Sequence, residues 1–167
     1  KSLFISMLSY YYDLNESDQF ETLFGQCEIG RNPTAKKNSY LILSFDFSGI
    51  NTKTNETTYA GFLDKVKKSV TRFISNYQEL ISFNKTEILE SNTPEGILEG
   101  LLNSVQDHKI YVLVDEYDHF ANEILSFNPH DYLNIVAKNG FVRKFYEVIK
   151  IGTGRGVVDR IFITGVS

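Results

Sequence analysis

The sequence predicts an α/β fold built around a mostly parallel β-sheet. Three short apolar segments, Tyr40–Ser48, Ile110–Val114 and Arg160–Thr164, are bounded by polar residues and are typical of strands. Amphipathic segments with helical spacing lie between them. Strands that alternate with helices in this way form right-handed βαβ units, which place the strands parallel to one another in one sheet.

Length and composition indicate a single globular domain. The chain has 167 residues, of which 42% are apolar and 23% charged, enough for a sizeable core. The net charge of -4 does not indicate a nucleic-acid surface, although a local basic patch is compatible with it. The only cysteine, Cys27, excludes an internal disulfide and favours a reducing, cytoplasmic setting. No segment approaches the ~18 consecutive apolar residues of a membrane span.

Three helices are predicted before the second strand. Leu3–Tyr12 has one apolar stripe at three- and four-residue spacing, and Thr58–Ile81 has a longer one. A third helix begins with Thr93 as N-cap and Pro94 in its first turn. The second helix also carries basic residues that are either an anion-binding face or a solvated surface, namely Lys65, Lys67, Lys68 and Arg72.

The remaining segments are predicted as loops and two further helices. Gln26–Asn38 and Ser82–Ser91 are polar connections. Helices are predicted near Asp118–Ser126 and from about Tyr132 to Lys150. The GTGRG run, Gly152 to Gly156, is predicted as a flexible connection, because it follows a helix rather than the strand that a dinucleotide loop requires.

The second strand ends in carboxylates. In YVLVDEYD, Asp115 and Glu116 follow the apolar run at the strand's carboxyl end, where ligands bind in open α/β sheets. Asp115 is suited to hold Mg²⁺, and Glu116 is suited to orient and deprotonate an attacking water in phosphoryl transfer. An apolar run followed by Asp-Glu is the Walker B pattern of ATPases. The alternative interpretation is a strand that ends in a solvated acidic turn.

Two further motifs agree with this interpretation. Lys1 and Ser2 directly precede a helix, as the last two residues of the G-x-x-x-x-G-K-[ST] phosphate loop do. Lys1 would then reach the β- and γ-phosphates of ATP, and Ser2 would be a ligand of Mg²⁺ at the positive end of that helix. Thr164, at the end of RIFITGVS, has the position of a residue that senses the γ-phosphate. The order of these motifs is that of a P-loop NTPase.

The segments KSLFISMLSYYYD, FETLF, YLILSFDFS, YVLVDEYD and RIFITGVS resemble, in the same order, those of the AAA-ATPase-like family of predicted ATPases. The resemblance covers nearly the whole chain. It implies a three-layer αβα P-loop NTPase fold with strand order 5-1-4-3-2, and ATP and Mg²⁺ as ligands. By position, it assigns Lys1 and Ser2 to the end of Walker A, Asp115 to the Mg²⁺-associated acid, Glu116 to the water-activating base and Thr164 to the sensor.

The resemblance also bears on the extent of the domain. Because the first residue is a lysine, the sequence is interpreted as an excerpt. Residues 1–167 would be a single truncated P-loop domain that begins at the end of Walker A and ends after the sensor strand, with strands 2, 3 and 4 of the order 5-1-4-3-2. The glycine loop would precede Lys1, so we expect the 167-residue chain alone to be a poor ATPase. Asp118 matches the final acid of the DEYD motif, but the resemblance assigns it no role.

Three functions fit these motifs. The first is a Mg²⁺-dependent ATPase that drives or gates an attached or partner domain, since family members often carry a C-terminal nuclease-like domain. The second is an inactive, nucleotide-gated or scaffold interaction module. The third is a helicase-like or nuclease-associated nucleic-acid enzyme, although DExD helicases usually continue to a SAT-like strand and this chain has TGVS. Arg155 or Arg160 is a candidate arginine finger across an oligomer interface, and Arg160 is alternatively the polar start of a strand. The three histidines have no zinc-site spacing.

Overall fold

The structure is a computed structural model that describes residues 2–118, 122, 135 and 140–165. Lys1, most of the predicted helix near Asp118–Ser126 and the first part of the helix predicted from Tyr132 lie outside the described residues. Among the described helices, none is both long and apolar enough to cross a membrane.

The centre of the fold is a parallel sheet of three strands, which confirms the predicted α/β class. The strands are β1 (Leu41–Asp46), β2 (Ile110–Asp115) and β3 (Val158–Ile163), in the spatial order β1-β2-β3. Asp46 is in register with Asp115, so β1 and β2 end at the same edge of the sheet. The crossovers between parallel strands require long connections, and helices form much of them.

Seven described helices surround these strands. A short 3₁₀ helix, Leu14–Gln19, also follows the first of them. In chain order the α-helices are α1 (Ser2–Tyr12), α2 (Phe20–Phe24), α3 (Glu28–Arg31), α4 (Asn55–Tyr77), α5 (Lys85–Glu90), α6 (Pro94–Ser104) and α7 (Phe141–Gly154).

The helices form layers on both faces of the sheet, because side chains alternate between the faces along each strand. On one face, Ile5 and Leu8 of α1 pack on a buried cluster that includes Ile42 and Leu113. The main core fills the other face, where α4, α6 and α7 cover Leu43, Phe45, Val112 and Val114 among others. The result is an αβα arrangement with Asp46 and Asp115 at one edge.

Helix α4 begins earlier than the apolar spacing predicts and ends earlier as well. Thr54 caps its start, since the Thr54 side chain accepts a hydrogen bond from Thr57 N and the Thr57 side chain accepts one from Thr54 N. This reciprocal cap fixes the first turn at Asn55. At the other end, the Tyr77 hydroxyl is buried, where it accepts a hydrogen bond from Ile42 N and donates one to Asp13.

Two predicted loops contain helical turns, so those predictions were incomplete. Ser82–Ser91 includes α5, because the Asn84 side chain accepts a hydrogen bond from Glu87 N and caps a new helix. Gln26–Asn38 includes α3, which has a single turn after Cys27. Thr93 caps α6 as predicted, with its side chain accepting from Gly96 N.

The prediction that GTGRG is a flexible connection was wrong for its first half. Helix α7 continues through Gly154. It packs so closely on α6 and β3 that a Cβ on Gly152 would lie 2.9 Å from both Leu102 and Val158, so this position requires glycine. The chain turns at Gly156, whose φ is +73°. Gly156 N donates to Thr153 O and Val157 N donates to Gly152 O, the paired bonds of a Schellman C-cap.

Candidate functional site

The candidate site lies where β2 and β3 end and α1 begins. Asp115 is the last residue of β2, Thr164 directly follows β3, and Ser2 is the first residue of α1. Parallel strands bring their carboxyl ends to one edge of the sheet, and α1 points its first turn at that edge. Residues separated by most of the chain therefore meet at Asp115.

The Asp115 carboxylate accepts three hydrogen bonds. The Ser2 hydroxyl donates to Oδ2 at 2.7 Å, and the Thr164 hydroxyl donates to Oδ1 at 2.6 Å. The backbone N–H of Glu116 also donates to Oδ1, at 3.0 Å. Asp115 is only 8% exposed. A buried carboxylate requires such donors, and these three fix the orientation of both of its oxygens.

The chain turns sharply after Asp115. Glu116 has a φ of +54°, in the left-handed region that costs a non-glycine residue roughly 1 kcal/mol or more. The turn returns the backbone to β3, because Tyr117 N donates to Thr164 O and Thr164 N donates to Val114 O. The Glu116 side chain is half-exposed and makes no hydrogen bond or ion pair with any described residue. Its carboxylate is therefore available to hold a water or ligand.

Asp118 and Gly165 explain part of the DEYD and TGVS motifs that sequence reasoning left without a role. A Cβ on Gly165 would overlap the carboxylate of Asp118 and would lie 2.6 Å from the Tyr117 ring. The glycine thus allows the turn after β2 to pack against the end of β3. The sequence does not predict this contact, because Asp118 and Gly165 belong to separate motifs and nothing in either motif indicates that the two residues meet.

A groove extends from this site along the outer edge of β1, between α1 and α4. It has a volume of about 340 Å³. Ser2 and Asp115 line one end of it, and basic residues of α4 line its wall. Its full lining is Ser2, Ile5, Ser6, Ser44, Phe45, Asp46, Lys65, Lys68, Ser69, Arg72 and Asp115.

The groove carries a positive electrostatic field at Asp46. Burial would raise the pKa of the Asp46 carboxyl, but hydrogen bonds from Ser48 and the charges of Lys65 and Arg72 outweigh burial and lower it. Asp46 itself is exposed at the end of β1, and its Oδ1 accepts a hydrogen bond from Ser48 N at 2.9 Å. The other residues of β1 are buried or half-buried, so this strand meets solvent at Asp46.

A family model described as predicted AAA-ATPase matches residues 1–167. The chain belongs to the AAA-ATPase-like family. Comparison with curated proteins and with solved structures gave no match. The matched range includes every candidate site residue named from the sequence. The family is also consistent with the αβα arrangement of the described residues.

In this member of the AAA-ATPase-like family, the predicted site residues are mostly in contact. Ser2, Asp115 and Thr164 are joined by hydrogen bonds, and Glu116 follows Asp115 in the chain. Glu116 does not line the groove. Lys1 lies outside the described residues.

The candidate arginine fingers lie away from these residues. Arg155 donates to the Asn103 side chain at 2.7 Å, and Arg160 donates to the Tyr40 hydroxyl at 3.1 Å. Both partners are at or beyond the opposite end of the sheet, since Tyr40 precedes β1 and Asn103 is near the end of α6. Lys109 is at that end as well, bonded to Gly156 O. Within the described chain, none of these three cations is placed to act at the Asp115 of its own chain.

The oxygen donors at Asp115 suit a magnesium ion. Ser2 Oγ and Asp115 Oδ2 are 2.7 Å apart, so both can face one small cation. Mg²⁺ prefers oxygen ligands and usually keeps several waters or phosphate oxygens beside one or two protein ligands. Among the described residues, no group of three or more His, Cys, Asp or Glu could hold a metal ion by itself. Ser2 and Asp115 supply the one or two protein oxygens that Mg²⁺ uses when waters or phosphate oxygens fill its other positions.

Proposed function

We propose that this chain forms the catalytic part of a Mg²⁺-dependent ATPase. The observation that carries the proposal is the hydrogen-bonded set Ser2, Asp115 and Thr164 at the carboxyl edge of a parallel sheet. A hydroxyl at the start of a helix and a carboxylate at the end of a strand are what Mg²⁺ and a nucleotide phosphate require together. Membership of a family of predicted ATPases supports the same conclusion.

The chain's own residues divide the work of hydrolysis. Ser2 and Asp115 would hold Mg²⁺, which supplies charge neutralisation at the phosphates. Thr164 holds Asp115 in place through its 2.6 Å hydrogen bond, and in the sensor role would exchange that bond for one to the γ-phosphate. Lys1 would contact the β- and γ-phosphates. These roles are proposed from the sequence motifs and from the hydrogen bonds between Ser2, Asp115 and Thr164.

Glu116 is the proposed base. Its free carboxylate would orient a water and accept the water's proton as the water oxygen forms a bond to the γ-phosphorus. The bond between that phosphorus and the β,γ-bridging oxygen breaks, and its electron pair stays with ADP. The products are ADP and inorganic phosphate. We propose that this cycle drives or gates an attached or partner domain.

The strand order 5-1-4-3-2 is also a proposal, and exposed apolar groups support it. In the described part of the chain, β3 pairs only with β2. Ile161 and Ile163 of β3 and Leu3 and Met7 of α1 are exposed. A further strand beside β3 would cover this apolar surface and satisfy the free strand edge. In the proposed order that strand leads into the phosphate loop.

The Glu116→Gln variant of the full-length protein tests the ATPase proposal. The amide is the same size as the carboxylate but cannot accept a proton, so ATP should bind as tightly as in the wild type while turnover is lost. Matched binding titrations and phosphate-release assays measure both properties. Equal turnover in wild type and variant would contradict the proposal. Binding without turnover in either protein would instead favour the nucleotide-gated interaction module.

A further inference from the structure

The groove beside the candidate site continues along the edge of the sheet. A second cavity of about 130 Å³ adjoins the groove and shares Ser44, Ser69 and Arg72 with it. Its other end reaches Asp13 and Asn76. The two together follow the outer edge of β1 from Asp46 back to Ile42, a length of about 13 Å at the usual strand rise. The nucleotide motifs explain only the end at Ser2 and Asp115.

Three cations of α4 share one side of this groove. Lys65, Lys68 and Arg72 are spaced by three and four residues, which places them on one face of the helix over about 10 Å. Lys67 belongs to the same helix but does not line the groove. The sequence allowed these basic residues to be either an anion-binding face or a solvated surface. The fold places Lys65, Lys68 and Arg72 in the groove and Lys67 outside it.

Few carboxylates offset these charges. Lys68 pairs with Asp64 at 2.7 Å, and both side chains are largely exposed. Lys65 and Arg72 make no ion pair with any described residue. Asp115 lines the groove, but its oxygens already accept three hydrogen bonds. Asp46 is the other carboxylate of the lining, and Asp64 pairs with Lys68, so Lys65 and Arg72 are the two cations of the groove left without an ion pair among the described residues.

Two serines add hydrogen-bond donors to the lining. The hydroxyls of Ser44 and Ser69 donate to no described residue, whereas the Ser2 hydroxyl donates to Asp115 and the Ser6 hydroxyl to Ser2 O. The backbone N–H of Ser44 also faces outward, because Leu41 N and Phe47 N donate toward β2 while Ile42 N points away to Tyr77. A groove of cations, hydroxyls and an outward N–H suits a tetrahedral oxyanion, which only accepts hydrogen bonds when fully ionised.

We propose that this groove is a binding site for a small oxyanion of the phosphate class, and that its occupant is the inorganic phosphate released by hydrolysis. The identity of the occupant rests on the proposed ATPase function, whereas the site itself does not. The groove begins at Ser2 and Asp115, so phosphate formed there would meet Lys65 and then Arg72 along the edge of β1. The planar guanidinium of Arg72 can bind two oxyanion oxygens at once.

Phosphate binding without nucleotide tests the site. Isothermal titration of inorganic phosphate into the full-length protein should give a dissociation constant that Lys65→Gln together with Arg72→Gln weakens by about tenfold or more, since each variant removes a charge-assisted hydrogen bond. Lys67→Gln is the control on the same helix outside the groove, and it is compared with Lys65→Gln and Arg72→Gln singly, each of which also loses one charge. Sulfate should compete with phosphate, and chloride at equal ionic strength should not. Equal binding by the groove and control variants, or no binding by the wild type, would overturn the site.

A second experiment, inhibition of ATP turnover by added phosphate, identifies the source of the oxyanion. Added phosphate should inhibit ATP turnover in the wild type and in Lys67→Gln, and should inhibit the double variant much less. If phosphate binds in the groove but ATP is not hydrolysed, the proposed function fails while the site stands, with a phosphate group of another molecule as its occupant. If ATP is hydrolysed but phosphate inhibits all three proteins equally, the product assignment is overturned.

Discussion

The hydroxyl of Ser2 donates a 2.7 Å hydrogen bond to Oδ2 of Asp115, a residue 113 positions further along the chain. The bond fastens the first turn of α1 to the last residue of β2. It also joins the end of the Walker A-like segment to the Walker B-like acid, the two elements that a magnesium nucleotide requires at once. The remaining contacts of the site are arranged around this pair.

Replacing Ser2 tests whether this hydroxyl is a metal ligand. We expect Ser2→Ala to lower Mg²⁺-dependent ATP turnover by about two orders of magnitude, because metal stabilisation of the transition state amounts to several kcal/mol. The free energy of unfolding should fall by only about 1 kcal/mol, the usual value of one hydrogen bond. Ser2→Thr keeps the hydroxyl and should keep turnover. Loss of turnover in both variants would indicate a packing role instead.

We expect Thr164 to have two effects: it orients the Asp115 carboxylate by a hydrogen bond, and it contacts the γ-phosphate as the sensor. Thr164→Val is nearly isosteric but removes the donor at 2.6 Å from Oδ1. Without it, we expect Asp115 to bind Mg²⁺ roughly tenfold more weakly, in line with the loss of a hydrogen bond to a charged group. Titration of turnover with Mg²⁺ measures this as a shift in the half-saturating concentration. Thr164→Ser should restore the wild-type value, and a Thr164→Val titration identical to the wild type would contradict the role.

Asp13 gives the fold a pH dependence. Burial raises the pKa of Asp13 above its ordinary 3.8, although hydrogen bonds from Asn15 N and the Tyr77 hydroxyl partly oppose this. The folded protein therefore holds the Asp13 proton more tightly than the unfolded chain does. Protonated Asp13 therefore contributes its full share to the free energy of unfolding below pH 3.8. This contribution decreases as the pH rises through the raised pKa of the folded protein.

The Asp13→Asn variant isolates this contribution. Relative to the variant, the wild type should lose free energy of unfolding as pH rises from about 4, and the difference should level off above the folded pKa. Urea unfolding at a series of pH values measures the difference between the two proteins. Asp18→Asn removes an exposed carboxylate of the same 3₁₀ helix and controls for net charge. A difference that rises with pH would show that the sign is wrong.

Two glycines of α7 provide a matched test of helix packing. Alanine at an ordinary helical position stabilises by about 0.4–1 kcal/mol relative to glycine, and Gly154→Ala should do so because nothing lies within 4 Å of its Cβ position. Gly152→Ala should instead destabilise by about 1–3 kcal/mol, because its Cβ would crowd Leu102 and Val158. Thermal unfolding of both variants should give shifts of opposite sign. Shifts of the same sign would contradict the close packing of α7.

The sequence predicts the strands and the meeting of Asp115 with Thr164, because apolar runs and strand ends are local features of the chain. Apolar runs with polar bounds identify β1, β2 and β3, and parallel strands must end at a common edge, so Asp115 and Thr164 had to meet there. Thr93 and Pro94 mark the start of α6 because capping is decided by neighbouring residues.

Features that depend on contacts between distant segments were not predictable in this way. Position 152 requires glycine because Leu102 and Val158, which are distant in the chain, leave no room for a side chain. The groove exists because α1 and α4 lie on opposite faces of one edge strand, so Arg72 approaches Ser44 across the fold. Helical spacing places Lys65 and Lys67 on different faces of α4, but only the fold shows which of the two faces lies in the groove.

The central claim is that Asp115 holds the metal of an ATPase. The most direct measurement is ATP hydrolysis by the full-length protein with Mg²⁺, after its removal with a chelator, and in an Asp115→Asn variant whose fold is checked by circular dichroism. We predict hydrolysis that stops on chelation, returns when Mg²⁺ is restored, and is absent from the variant at every Mg²⁺ concentration. Hydrolysis that persists in folded Asp115→Asn, or no hydrolysis by the folded wild type with Mg²⁺, would contradict the claim.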